Sequence, residues 1–145
     1  MSTKEVQEHL VDILDRWKKV ENASVASTGA VIEKTDNPVI RMVMELIQRD
    51  SQFHYFVQDF LVDILEGKAV ALNPDDLLEI WDGVEKHIEI ERNTIELAEE
   101  ALETLKGRKM VIHEYLLNYL LIDEKKHNAI LDTLSTIKKG MYPYG

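Results

Sequence analysis

Six ionisable residues stand where the local pattern calls for an apolar one: Glu21, Asp50, His54, Glu91, Glu124 and His127. Each falls on a stripe that repeats an apolar residue every three or four positions, the period of a helix with one buried face. Taking a single unpaired carboxylate out of water is costly. The stripes contain no Lys or Arg to balance the charge. A metal cation does balance it, and a mixture of carboxylate and imidazole donors suits iron, with manganese or zinc as alternatives.

The positions of these residues agree with one shared site. Glu21 lies about 15 residues before the first turn, and Asp50 and His54 lie about 13 to 17 after it. Glu91 lies about 16 before the last turn, and Glu124 and His127 about 17 to 20 after it. At a rise of about 1.5 Å per residue, each pair of segments brings its own polar residues to one level. The chain also echoes itself. Asp50-Ser51-Gln52-Phe53-His54 matches Asp123-Glu124-Lys125-Lys126-His127, and Val20-Glu21 with Val25 matches Ile90-Glu91 with Ile95. Two helix pairs read as copies of one.

Four long segments must position these groups. They run from about Lys4 to Lys34, Pro38 to Glu66, Pro74 to Lys106 and Lys109 to Lys139. Asn37-Pro38 and Asn73-Pro74 read as an N-cap followed by proline in the first turn. Asp75 and Asp76 complement the positive helix start. Gly67, Gly107 and Gly140 are expected to close helices. Gly29 predicts a kink or an early end in the first segment. The last five residues, Met141 to Gly145, are too short to form a fifth helix. Short links at 35–37 and 106–109 predict two antiparallel hairpins. The expected fold is all-α: one domain spanning 1–145, an antiparallel four-helix bundle about 45 Å long.

Composition narrows the function. The net charge is -10, from 17 Lys+Arg against 27 Asp+Glu, which disfavours nucleic acid and anionic lipid as partners. There is no cysteine, so thiolate metal sites, iron–sulfur clusters and disulfides are excluded. No apolar run approaches the length of a membrane span, and the N-terminal residues lack a signal-peptide core. A cytoplasmic protein is expected.

With these residues in view, the chain resembles the ferritin-like superfamily, above all bacterioferritin and rubrerythrin. Such folds pair a Glu on each of two helices with Glu-x-x-His on each of the other two. Glu124-x-x-His127 fits that pattern, and Glu91 stands 33 residues upstream of Glu124. The resemblance implies a di-iron or di-manganese centre with metal ligands Glu21, Asp50, His54, Glu91, Glu124 and His127. It makes Asp123 a partner that orients a histidine across the site; His87, one turn before Glu91, is expected to line the cavity or pack. It implies oxidation of Fe(II), or reduction of O2 or peroxide, with electrons from a separate donor. The sequence departs from the pattern at Ser51, where the family carries Glu, leaving Asp50 either as a substitute ligand or as a supporting residue. Residues 67–73 reach only about 23 Å, short of the crossover that ferritin-like folds use, so either the helices end early or the topology is plain up-down.

The remaining candidates read as structure. His113 and His9 lie away from the site, and Tyr55, Tyr115 and Tyr119 are expected at core or boundary positions. Glu96, Glu99, Glu100 and Glu103 form a solvated face. Apolar residues off the main stripes, including Met44, Phe53, Phe56, Phe60 and Ile122, predict a homodimer or higher homo-oligomer. The alternative function is a metal-free helical bundle that serves as an interaction protein.

Overall fold

The computed structural model describes residues 1–141, and these are all-α. The helices are α1 (Thr3–Lys34), α2 (Pro38–Leu65), α3 (Pro74–Thr104) and α4 (Val111–Met141). Ser2 and Glu5 form a reciprocal cap at the start of α1, each side chain bonding the other's backbone N–H. The Asn37 side chain accepts from the N–H groups of Val39 and Ile40, and Pro38 opens α2. Asn73 precedes Pro74 but makes no side-chain cap bond, so proline geometry and the acidic pair Asp75 and Asp76 mark that start.

The glycines divide. Gly67 (φ 115°) and Gly107 (φ 77°) take the left-handed conformation that ends a helix, as expected. Gly140 does not, because α4 continues through Met141. Gly29 does not end α1, which runs on to Lys34. A Cβ there would stand 3.3 Å from the Gln48 amide nitrogen, so the absent side chain lets α2 approach closely. That amide donates to the carbonyl of Val25. Residues 142–145, which carry most of the expected non-helical tail, lie outside the described residues.

The chain divides into two compact units, Met1–Val70 and Ala71 onward. The first is the α1–α2 hairpin. Its cross-links run antiparallel: Lys18 to Asp59, Glu21 to Gln58, Ser24 to Ser51, and Ile32 to Arg41. The second is the α3–α4 hairpin, also antiparallel, with Thr94 bonded to Glu124 and Lys138 over the Trp81 ring.

Each hairpin buries a narrow seam. Leu14, Glu21 and Thr28 recur seven residues apart on α1, against Ser51, Gln58 and Val62 of α2. On α3, Leu77, Glu91 and Ala98 fall on the same repeat, fourteen and seven residues apart. A seven-residue repeat keeps one line of side chains facing a partner helix. Small residues such as Ser24, Thr28, Ser51 and Ala98 let the backbones come close.

The apolar stripes are wider than this seam, and here the expectation needs correcting. Leu10, Trp17, Ile47, Val57 and Leu120 lie at apolar stripe positions that the helical period predicts to be core, yet they are exposed. One helix facing one other helix covers only a single stripe, so the second stripe of each helix stays open. On α1 and α2 these open positions are 10, 13, 17, 20, 24 and 47, 50, 54, 57, 61. On α3 and α4 they are 80, 83, 87, 90, 94, 97 and 120, 123, 127, 130, 134, 137. The alternation of three and four residues puts each series on one helix side. A further aromatic ridge, Phe53, Phe56 and Phe60, is also exposed on α2. The acidic run Glu96, Glu99, Glu100 and Glu103 is solvated, as expected, and so are His9 and His113; Tyr115 is exposed rather than at a boundary. Among the described residues no helix is long and apolar enough to cross a membrane.

Candidate metal centre

The α3–α4 hairpin brings Glu91, Glu124 and His127 together. One donor atom from each lies within 4.8 Å of the others, with Glu91 buried. Glu91 sits on the seam at the middle of α3, so its carboxylate points across to α4 rather than to solvent. Spacing of i and i+3 puts Glu124 and His127 on one side of α4, where both meet it.

The contacts define how the donors point. Glu91 Oε1 lies 2.8 Å from His87 Nε2 and 3.4 Å from His127 Nδ1. His127 Nδ1 is also 3.7 Å from Glu124 Oε2. The other ring nitrogen, Nε2, is 3.4 Å from Asp123 Oδ2. Either ring nitrogen can donate to a carboxylate here; with a cation held between Nδ1 and the two glutamates, the ring proton would sit on Nε2, toward Asp123. Asp123 thus supports the histidine of its own helix, four residues on. The Thr94 hydroxyl, 3.0 Å from Glu124 Oε2, fixes that carboxylate. One atom is left over: Glu91 Oε2 is buried and has no hydrogen-bond partner.

The two carboxyl groups titrate as a pair. Glu91 is held below its ordinary value of 4.5 chiefly by a proton shared from Glu124, with His87 and His127 helping and burial opposing. Glu124 is held above 4.5 by the adjacent Glu91 and by burial. Without metal, then, the proton of the pair rests on Glu124. A raised carboxyl value favours the folded state while the proton is on and loses that contribution as pH rises through the raised value; a lowered value favours it above 4.5 and loses it on acidification. The metal-free protein is therefore expected to gain stability from this pair as pH falls from neutral toward 4.5, and to lose it below. Urea midpoints measured at half-unit pH steps with a chelator present test this. A flat profile across that range would contradict the shared proton.

The α1–α2 hairpin carries the weaker copy. Glu21 is buried on the same kind of seam, its Oε1 3.5 Å from His54 Nδ1 and 3.4 Å from Gln58 Nε2. The Gln58 amide donates there, so this carboxylate already has a protein partner. Ser51 stands where α4 has Glu124 and bonds Ser24 at 2.8 Å, as Thr94 bonds Glu124. Asp50 is exposed and takes no part in these contacts. Trp17 occupies the place of His87.

Sequence reasoning singled out the carboxylates and histidines but not Thr94, Ser24 or Gln58. The internal echo held the signal for the first two: a small hydroxyl residue follows each seam glutamate by three positions, Ser24 after Glu21 and Thr94 after Glu91. Nothing in the pattern distinguished Gln58 from an ordinary polar residue. No protein-family model matches the chain, and no curated protein or solved structure matches it.

Proposed function

We propose that this chain is a ferritin-like metal-binding protein, in which helical hairpins pair as an antiparallel four-helix bundle around a carboxylate and histidine site. The observation that carries the reading is the buried, unpartnered Glu91 Oε2 beside Glu124 and His127. Of the three buried side-chain oxygens without a partner among the described residues, Gln58 Oε1, Glu91 Oε2 and Asn128 Oδ1, it is the one that belongs to the three-residue donor cluster, where an ion would satisfy it. Two carboxylates and one imidazole suit iron, manganese or zinc. Glu91, Glu124 and His127 would hold the metal, with Asp123 and Thr94 orienting the ligands. Glu21 and His54, with Asp50 one residue before Ser51 as a substitute ligand or support, would form a weaker copy of that donor set in the other hairpin.

Bound iron or manganese would supply redox chemistry: oxidation of Fe(II), or reduction of O2 or peroxide. The protein's own part is to shed the Glu124 proton, to hold the histidine lone pair inward and to exclude bulk water through the apolar stripes. With no cysteine in the chain, electrons would come from a separate donor. A second reading, a metal-free helical interaction protein, draws on the exposed ridge Phe53, Phe56 and Phe60.

Metal content decides between them. Tag-free protein loaded anaerobically with Fe(II), or with Mn(II), and stripped of excess is expected to keep about one equivalent per chain, since one hairpin carries an intact donor set. A Glu124→Ala, His127→Ala double variant is expected to keep none. Wild-type protein that retains no metal under either loading would leave the interaction reading standing.

A further inference from the structure

We infer that the partner which completes the metal centre is a second copy of this chain, with the α3–α4 hairpin of one copy packed on the α3–α4 hairpin of the other. This rests on the metal reading above and names the missing half of that site. Glu91, Glu124 and His127 offer three donors, fewer than the four to six that iron, manganese or zinc takes up. A two-fold axis through the cluster doubles the set to four carboxylates and two imidazoles, enough for two ions. The α1–α2 hairpin is a poorer complement: Ser51 brings no carboxylate, and Gln58 already donates to Glu21.

The surface around the cluster fits such a pairing. Ile80, Ile90 and Leu97 of α3 and Leu120, Ile130 and Ile137 of α4 share the side that carries His87 and His127, and all six are between 43% and 63% exposed. No Lys, Arg or Glu occurs in that series of positions. Six half-open aliphatic side chains on each copy give a two-fold contact on the order of the 1,000 Å² that a specific interface needs. The face is self-complementary in the sense a two-fold contact demands, because the same apolar side chains meet on both copies.

The test uses the full chain, with Mn(II) as the probe, followed by sedimentation velocity and native mass spectrometry. The expected species is a dimer carrying two Mn(II). Ile80→Glu with Leu120→Glu, neither in the metal cluster, is expected to yield a helical monomer that binds Mn(II) at least about 10-fold more weakly. The equivalent pair in the other hairpin, Leu10→Glu with Ile47→Glu, is expected to leave Mn(II) affinity unchanged. A wild-type monomer that keeps Mn(II) overturns the second-copy inference and spares the metal reading. So does loss of Mn(II) from the Leu10, Ile47 variant equal to that from the Ile80, Leu120 variant. A dimer that dissociates on Ile80→Glu with Leu120→Glu yet never takes up Mn(II) supports the pairing and sinks the metal reading.

Discussion

Glu91→Gln is expected to move metal affinity and metal-free stability in opposite directions. Glu91 is 5% exposed, and one of its oxygens has no partner. In a protein without metal that oxygen is a fault: burying an unsatisfied polar atom costs about 1–3 kcal/mol. Glutamine keeps the shape, still accepts from His87 through its oxygen, and puts a donor N–H in place of the unpartnered oxygen. The metal-free variant should therefore be more stable by about 1 kcal/mol, read as a higher urea midpoint at unchanged slope. Metal affinity should fall by more than about 100-fold, because losing even a partner of a ligand costs about 10–100-fold. A side chain that only packed the seam would show the reverse: lower stability on substitution and no effect of added metal. Loss of stability in Glu91→Gln with unchanged Mn(II) or Fe(II) binding would refute a ligand role for Glu91.

The same opposition explains which parts of this molecule were legible in the sequence. Helix number and class were readable because they rest on local rules: proline after asparagine, glycine at the two turns, and a period of three and four sustained over some thirty residues. The convergence of Glu91, Glu124 and His127 was readable because charge in an apolar stripe breaks a pattern, and the break recurs on partner helices at matching distance from the turn. Gly140 misled because a glycine near a helix end looks the same whether the backbone turns there or continues through it. Gly29 misled because its reason is non-local: α2 lies against it, and only the fold reveals Gln48 at that spot. The width of the stripes carried the deepest ambiguity. A sequence shows that Leu10, Trp17 and Leu120 want burial but not which helix, of which hairpin or which molecule, provides it.

Ser51→Glu is expected to give the α1–α2 hairpin a metal-binding capacity that it lacks. The two hairpins share a seam glutamate, a hydroxyl residue three positions on, and a facing histidine: Glu21, Ser24 and His54 in one, Glu91, Thr94 and His127 in the other. They differ at the position bonded to that hydroxyl, Ser51 against Glu124. Placing a carboxylate there sets it beside Glu21 and within reach of His54. Without metal the change should be harmful. Ser51 is 5% exposed, so the substitution crowds the Ser24 contact and buries a second carboxylate next to Glu21, at a cost of about 2 kcal/mol. Part of that cost would be met by protonation, since a neighbouring carboxylate raises the new carboxyl as Glu91 raises Glu124, so the penalty should grow as pH rises. With Fe(II) or Mn(II) present the sign should reverse. Bound metal should rise from about one to about two equivalents per chain, and the thermal midpoint should recover to or above that of the wild type. Ser51→Gln controls for size, since it adds bulk and hydrogen bonds without charge, and should bind no extra metal. A Ser51→Glu protein that is destabilised equally with and without metal, and holds no added equivalent, would show that the resemblance between the hairpins stops at their packing.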